Sequence, residues 1–195
     1  MESEWNQRYS QREYVYGTEP NVFFQEELSK LKPGRILLPA EGEGRNAVYA
    51  AGQGWDVYAF DSSIEAKAKA MRLASQNGVT IKYDVLDYKD VDYNMESFDA
   101  IAMIYAHNMS RQSVNKRLQH FLKKGGIFII EGFSVKQINS NSGGPKKLEM
   151  LYTVDDLKFD FDGFSRLKVW EQKIELREGH KHNGLGTVVR LLGVK

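Results

Sequence analysis

Arg35-Ile36-Leu37-Leu38-Pro39 leads into Ala40-Glu41-Gly42-Glu43-Gly44, and that into Arg45-Asn46-Ala47-Val48-Tyr49-Ala50-Ala51. The first five residues are an apolar run after Pro33-Gly34, the pattern of a buried strand that stops at a proline. The last seven are rich in alanine and end at Gly52 and Gly54, which suits a helix packed closely on a sheet. Between them, glycines let the backbone pass near a ligand where a side chain would collide. The helix start aims free N–H groups at the same place.

The alternation continues outward. Trp55 to Phe60 reads as a second strand stopped at Asp61, and Ser62-Ser63 caps a helix running to about Asn77, with Gly78 behind it. Val79 to Tyr83, Phe98 to Tyr105 and Ile127 to Ile130 read as further strands, with a helix over Ser113 to Leu122 and Gly125-Gly126 after it. Strands alternating with helices imply parallel pairing with right-handed crossovers. Phe164 to Leu176 and Thr187 to Val194, separated by a polar stretch, suit an antiparallel hairpin. The expected fold is α/β: a Rossmann-like, doubly wound, mostly parallel seven-stranded sheet with helices on both faces and a C-terminal antiparallel hairpin. One domain spans 1–195, with an N-terminal lid or helical segment over 1–33, a cofactor-binding core over 34–132, and a loop, helix and hairpin over 133–195. Ser134 to Pro145, rich in Ser, Asn and Gly, is too long for a plain connector and reads as a mobile loop or lid.

Composition narrows the function classes. The 195 residues carry a net charge of +1, with 42% hydrophobic and 27% charged residues, ordinary for a globular domain. No basic stripe points to nucleic acid, and no apolar run is long enough to span a bilayer. There is no cysteine, which removes disulfides and thiolate metal sites. Met1-Glu2-Ser3-Glu4 lacks the basic-then-apolar pattern of a signal peptide, so a cytoplasmic location is expected.

Asp61 lies nineteen residues after Gly42, at the end of the next strand. A carboxylate there can accept hydrogen bonds from both hydroxyls of an adenosine ribose, because ligands of such sheets bind at the carboxyl ends of the strands. Asp84, ending the third strand, can accept from an adenine amino group, with the N–H of Val85 on a ring nitrogen. Gly42-Glu43-Gly44-Arg45-Asn46-Ala47 also satisfies a dinucleotide fingerprint with alanine in third place, which keeps a nicotinamide-dependent reductase open. Against it, Glu41 and Glu43 would repel a pyrophosphate, whereas S-adenosylmethionine carries a sulfonium and an ammonium.

With these residues in place, the chain resembles the class I S-adenosylmethionine-dependent methyltransferases, and within them the tellurite-resistance and thiopurine methyltransferase-like group. Trp5-Asn-Gln-Arg-Tyr9 and Tyr14-Val-Tyr-Gly17-Thr-Glu-Pro20-Asn21 resemble that group's entry segment, and Glu41 to Ala47 its cofactor loop. Tyr105-Ala-His107, Gly143-Gly-Pro145 with Leu151-Tyr152-Thr153, and His182-Asn-Gly184 are similar to its later motifs. The chain departs from the family at Leu38, where an acid is usual, and at Ala40, where glycine is frequent; Glu41 is near enough to serve in place of the missing acid.

The resemblance implies S-adenosyl-L-methionine as cofactor and methyl transfer to a small-molecule acceptor, with a soft sulfur, selenium, tellurium or related heteroatom as the expected centre. A non-catalytic binding protein on a decayed methyltransferase fold is the other alternative. Expected cofactor contacts are Tyr16, Ala40, Glu41, Gly42, Glu43, Gly44, Arg45, Asn46, Asp61, Ser62, Asp84, Val85 and Tyr105. Expected acceptor-side catalytic residues are His107 and His182. His180 and His182 lack a third ligand in the sequence pattern, so no metal is expected. No nucleic-acid or membrane partner is expected, and the chain is expected as a monomer or homodimer.

Overall fold

The computed structural model describes residues 4–195; Met1, Glu2 and Ser3, which carry part of the leader reading and of the expected 1–33 segment, lie outside the described residues. Seven strands form a single sheet: β1 (Arg35–Pro39), β2 (Asp56–Asp61), β3 (Lys82–Val85), β4 (Phe98–Ile104), β5 (Leu122–Phe133), β6 (Arg166–Glu178) and β7 (His182–Val194). Their spatial order is β3-β2-β1-β4-β5-β7-β6. β1 to β5 pair in parallel, β7 runs antiparallel to β5, and β6 antiparallel to β7. The expected fold class is the observed one.

The period of two in the strands divides the core into two layers. Ile36 and Leu38 of β1 face a cluster with α2 (Val22–Leu28), α3 (Arg45–Gly52) and α4 (Ile64–Gln76). Leu37 faces the opposite cluster, with α5 (Arg111–Phe121) and α6 (Val154–Asp160). A short α1 (Glu4–Tyr9) packs over α4 at the edge of the first layer.

Local chemistry sets the helix starts. Ser63 caps α4 by accepting from the Ala66 N–H at 3.2 Å. Thr153 and Asp156 form a reciprocal capping box on α6. α3 begins at Gly44, which has φ +89° and no side chain to cap with. Its orphan donors go instead to Glu41, whose Oε1 accepts from the N–H groups of Asn46 and Ala47, both at 2.8 Å. Gly44 also sits so close to α4 that a Cβ there would lie 2.5 Å from the Cβ of Ala70.

Two expectations differ in detail. The hairpin is longer than its apolar residues suggest: pairing continues through polar residues to Glu178 opposite His182, leaving a turn at 179–181. Polar side chains at this end are satisfied by the site described below, so polarity did not mark a loop. β3 covers Lys82–Val85, later than 79–83, because its register to β2 places Asp61 opposite Val85. Within Ser134 to Pro145, Ser142 is held by Gln137 at 2.8 Å and by the Leu185 carbonyl at 2.6 Å, which ties this segment to the hairpin.

Candidate functional site

β1 is flanked by β2 on one side and β4 on the other, so the chain leaves its carboxyl end at the switch point of the sheet. A cavity of about 790 Å³ opens there, within the range of small-molecule sites. The glycine bend and the acid of the second strand meet in it: the Gly42 N–H donates to Asp61 Oδ2 at 3.1 Å, and the Ser63 N–H to Oδ1 at 2.9 Å. Burial raises the Asp61 carboxyl above its ordinary range, against the pull of those N–H donors. Gly42, at φ +64°, leaves no room for a side chain, since a Cβ would stand 2.8 Å from the Tyr9 hydroxyl. Ala40 keeps a positive φ of 48° despite its Cβ, so this turn retains the left-handed backbone that glycine usually supplies.

The two loop glutamates face different tasks. Glu41 lines the cavity while capping α3, and burial pushes its carboxyl up to about 7. Among the described residues, no lysine, arginine or histidine lies within ion-pair distance of Glu41 or Asp61. Glu43 turns to the N-terminal segment: it pairs with Lys69 of α4 at 2.7 Å and accepts from the Val15 N–H at 2.8 Å. Lys69 also donates to the Glu13 carbonyl at 2.6 Å. Arg45 pairs with Glu178 at 3.2 Å, not with a loop glutamate, and donates to the Tyr16 carbonyl at 3.4 Å. Asn46 accepts from the Asn21 N–H at 2.9 Å. The loop thus ties 13–21 across the cavity mouth, where Tyr16 and Gly17 line it.

Ser62 lies in the cavity beside Asp61, but the expected adenine contacts need correction. Asp84 and Val85 are exposed residues of β3 outside the cavity lining, and the Tyr93 hydroxyl donates to Asp84 at 3.4 Å. The strand runs further than expected, and the chain enters the cavity only with Leu86, Asp87 and Tyr88. The Leu86 N–H donates to the Asp61 carbonyl at 3.0 Å, which fixes this turn beside Asp61. Asp87 is the acid in place there; the signal was a second acid three residues after the first.

The other half of the cavity is aromatic. His182, of which only 6% is exposed, contacts the rings of Tyr16, Tyr105 and Phe133 at centroid distances of 4.5, 4.6 and 5.1 Å. Its Nδ1 meets Glu178 at 3.2 Å. Tyr105, at φ +53°, donates through its hydroxyl to Glu131 at 2.7 Å. Glu131 is fully buried and accepts also from Arg190 at 2.6 Å and from Asn21 at 2.7 Å. Lys69, Glu131 and Glu178 went unread in the sequence, although Glu131 interrupts an apolar strand and Lys69 an alanine stripe.

His107 lines the cavity but has no nitrogen to spare. Its Nε2 accepts from the Phe133 N–H at 3.0 Å, which leaves Nδ1 as the donor to the Met150 carbonyl at 2.6 Å. Burial lowers its pKa to about 4. The proton-accepting role expected of His107 therefore conflicts with this geometry, which makes it a neutral strut between β4 and the 148–152 loop.

Comparison with known proteins places likenesses beside this crevice. Residues 36–126 match the family model described as a methyltransferase domain.

The chain is 28% identical over 152 residues to the glycine/sarcosine N-methyltransferase of Aphanothece halophytica, covering 69% of this chain and 57% of that protein. The chain therefore spans little more than half the length of this curated relative. The structure of TehB from Haemophilus influenzae superposes with a TM-score of 0.69 at 15% identity, over 98% of this chain and 65% of that one. An S-adenosylmethionine-dependent methyltransferase from Clostridium acetobutylicum superposes with a TM-score of 0.63 at 16% identity, over 88% and 89%. The parallel sheet and its terminal hairpin thus share the fold of these proteins. Among the described residues, no helix is long and apolar enough to cross a membrane.

Proposed function

We propose that the chain is an S-adenosylmethionine-dependent methyltransferase acting on a small molecule. The observation that carries this reading is the junction of Gly42 with Asp61 in a crevice whose buried carboxylates, Glu41 and Asp61, have no cation at ion-pair distance among the described residues, Arg45 acting on Glu41 only from further off. A ligand bearing a cation and hydroxyl donors supplies what both groups lack. The pyrophosphate of a nicotinamide cofactor would meet repulsion at the same place.

In this reading Asp61 accepts from the ribose, Asp87 and the Leu86–Tyr88 turn receive the adenine, and Glu41 faces the methionine end. Tyr16 and Gly17 close the mouth from above. The donor supplies a methyl group already activated on sulfonium. The chain's task is to hold an acceptor in line with it and to exclude water, an alignment worth about 7–11 kcal/mol.

The acceptor is proposed to enter beside His182, Tyr105 and Phe133. A soft sulfur, selenium or tellurium centre is supported by the motifs shared with the tellurite-resistance and thiopurine group and by the likeness to TehB. A nitrogen acceptor is supported by the relative named for glycine and sarcosine and by a histidine placed to take a proton. Isothermal calorimetry with S-adenosylhomocysteine tests the donor site. Binding heat at micromolar ligand is expected; none up to millimolar ligand overturns the proposal.

A further inference from the structure

Two features of the acceptor half exceed what holding a soft anion requires. The first is the tautomer of His182. Glu178 reaches Nδ1 at 3.2 Å, while Nε2 has no hydrogen-bond partner among the described residues and is not sealed off from solvent. His182 lines the cavity, so Nε2 is the atom it can offer to an occupant.

The second is how firmly Glu178 is built. It sits opposite His182 across the hairpin, its Oε2 is 3.2 Å from Arg45, and its Oε1 accepts from Asn21 at 2.8 Å. Burial works against ionising Glu178, but the hydrogen bond and charge of His182 and the charge of Arg45 outweigh it and hold the carboxyl down at about 2. Burial likewise lowers His182, which Glu178 partly offsets. At neutral pH the pair is a neutral N–H donor on a carboxylate, with a basic Nε2 lone pair on the far side.

We propose that Glu178 positions His182 as the proton acceptor, and that the acceptor substrate is a primary or secondary amine arriving as its ammonium. This rests on the methyltransferase reading above. Tyr16 and Tyr105 line the cavity beside His182 with aromatic rings, which attract a cation and disfavour an oxyanion, while Phe133 stacks behind on Tyr105 and His107. An ammonium has no lone pair to attack with until a proton leaves, which is the step Nε2 serves.

The step balances. The ammonium nitrogen gives one proton to Nε2, and its freed lone pair forms the N–C bond to the donor's methyl carbon. The C–S electron pair returns to sulfur, leaving a neutral thioether and a methylated ammonium. The imidazolium of His182 then releases its proton to solvent. The groups facing His182 are Tyr16 from the N-terminal segment, Arg45 from α3, Tyr105 after β4, Glu131 from β5, Glu178 from β6, Lys181 in the turn and His107. Lys181 is exposed, and Tyr105 and Arg190 both engage Glu131, so Glu178 is the anion that acts directly on the imidazole.

The test compares wild type, Glu178→Gln and His182→Gln, each first checked for thermal unfolding and for S-adenosylhomocysteine binding. Glycine, sarcosine and histamine serve as amine probes, tellurite and thiophenol as soft probes, with S-adenosylhomocysteine release as readout. We expect amine turnover that rises with pH through one ionisation, a loss of at least a hundredfold in His182→Gln and of at least tenfold in Glu178→Gln. Imidazole ¹⁵N NMR gives a readout apart from turnover: an Nδ1–H tautomer for His182 in wild type, and a His182 titration displaced to lower pH in Glu178→Gln. A purely structural Glu178 would leave that titration in place. Soft-probe turnover without amine turnover, an Nε2–H tautomer, or an unmoved titration overturns the proposal. No binding of S-adenosylhomocysteine by folded wild type overturns the methyltransferase reading and this one together, whereas binding with any of the former results overturns this one alone.

Discussion

Replacing Lys69 by Met isolates the contact that fastens the N-terminal segment to the cofactor loop. The two side chains of the Lys69–Glu43 pair are 7% and 3% exposed, so water screens little of their attraction. Methionine keeps an apolar stem at position 69 and removes the charge. Glu43 then remains buried with only the Val15 and Tyr16 N–H groups as donors, and the Glu13 carbonyl loses its donor. Breaking a buried pair from one side costs about 3–5 kcal/mol, and the retained N–H donors place the expected loss near the lower end, about 3 kcal/mol. Urea unfolding followed by the fluorescence of the three tryptophans measures it. Glu43→Gln combined with Lys69→Met should recover at least 1 kcal/mol, because the uncompensated charge is gone. Trypsin cleavage after the exposed Arg12 should accelerate about tenfold or more in the single variant, since the segment around Val15 loses its anchor. A Lys69→Met protein within 1 kcal/mol of wild type, or strictly additive effects in the double variant, would refute the reasoning that this pair holds the segment down.

Other outcomes follow from single contacts. Asp61→Ala should weaken S-adenosylhomocysteine binding by about 1.5–3 kcal/mol in calorimetry, the scale of hydrogen bonds to a charged group, and Asp87→Ala should weaken it more than Asp84→Ala does. Gly44→Ala should destabilise the fold by about 2–4 kcal/mol in urea unfolding, combining a Cβ pressed against Ala70 with a left-handed backbone. Two opposed contributions to the pH dependence of stability come from His107 and Glu41. His107 falls from 6.5 to about 4 on folding, so its contribution is present above pH 6.5 and is lost as the pH drops through 4. Glu41 rises from 4.5 to about 7, so its contribution is present below pH 4.5 and is lost as the pH climbs through 7. Each amounts to roughly 3 kcal/mol at 1.36 kcal/mol per unit, and the slopes nearly cancel between pH 4.5 and 6.5. In Glu41→Gln the largest opposing contribution is gone, so stability should rise more steeply toward pH 6.5 than in wild type; a profile as flat as wild type would count against both assignments.

The parts of the molecule legible in the sequence are those governed by local rules. The strand–glycine–helix unit at Arg35–Ala51, the cap at Ser63 and the alternation of faces in β1 follow from spacing and backbone chemistry, and the structure has them at those positions. Register is a non-local property, and it leaves Asp84 outside the cavity and Asp87 in its lining, because the end of β3 is set by its pairing with β2 rather than by its own residues. The charged groups behind the site were present as irregularities: Lys69 stands in the apolar stripe Ala66–Ala70–Leu73 of α4, and Glu131 ends the run Ile127–Ile130. Only the fold brings Asn21, Arg45, Glu131, Glu178 and Arg190 together, from five segments far apart in sequence. His107 shows the converse: a suitable residue type in a suitable motif, whose two nitrogens are already taken by the main chain.

The placement of β7 between β5 and β6 has a consequence for biogenesis. As the polypeptide emerges from the ribosome, β6 appears before the strand through which it joins the rest of the sheet. Until β7 arrives, the outer edge of β5 is unpaired and β6 has only solvent to bond with, an arrangement prone to pairing with other nascent chains. The charged, polar make-up of β6, with Lys168, Glu171, Lys173, Glu175 and Arg177 in one strand, keeps that waiting segment soluble and unattractive to strangers.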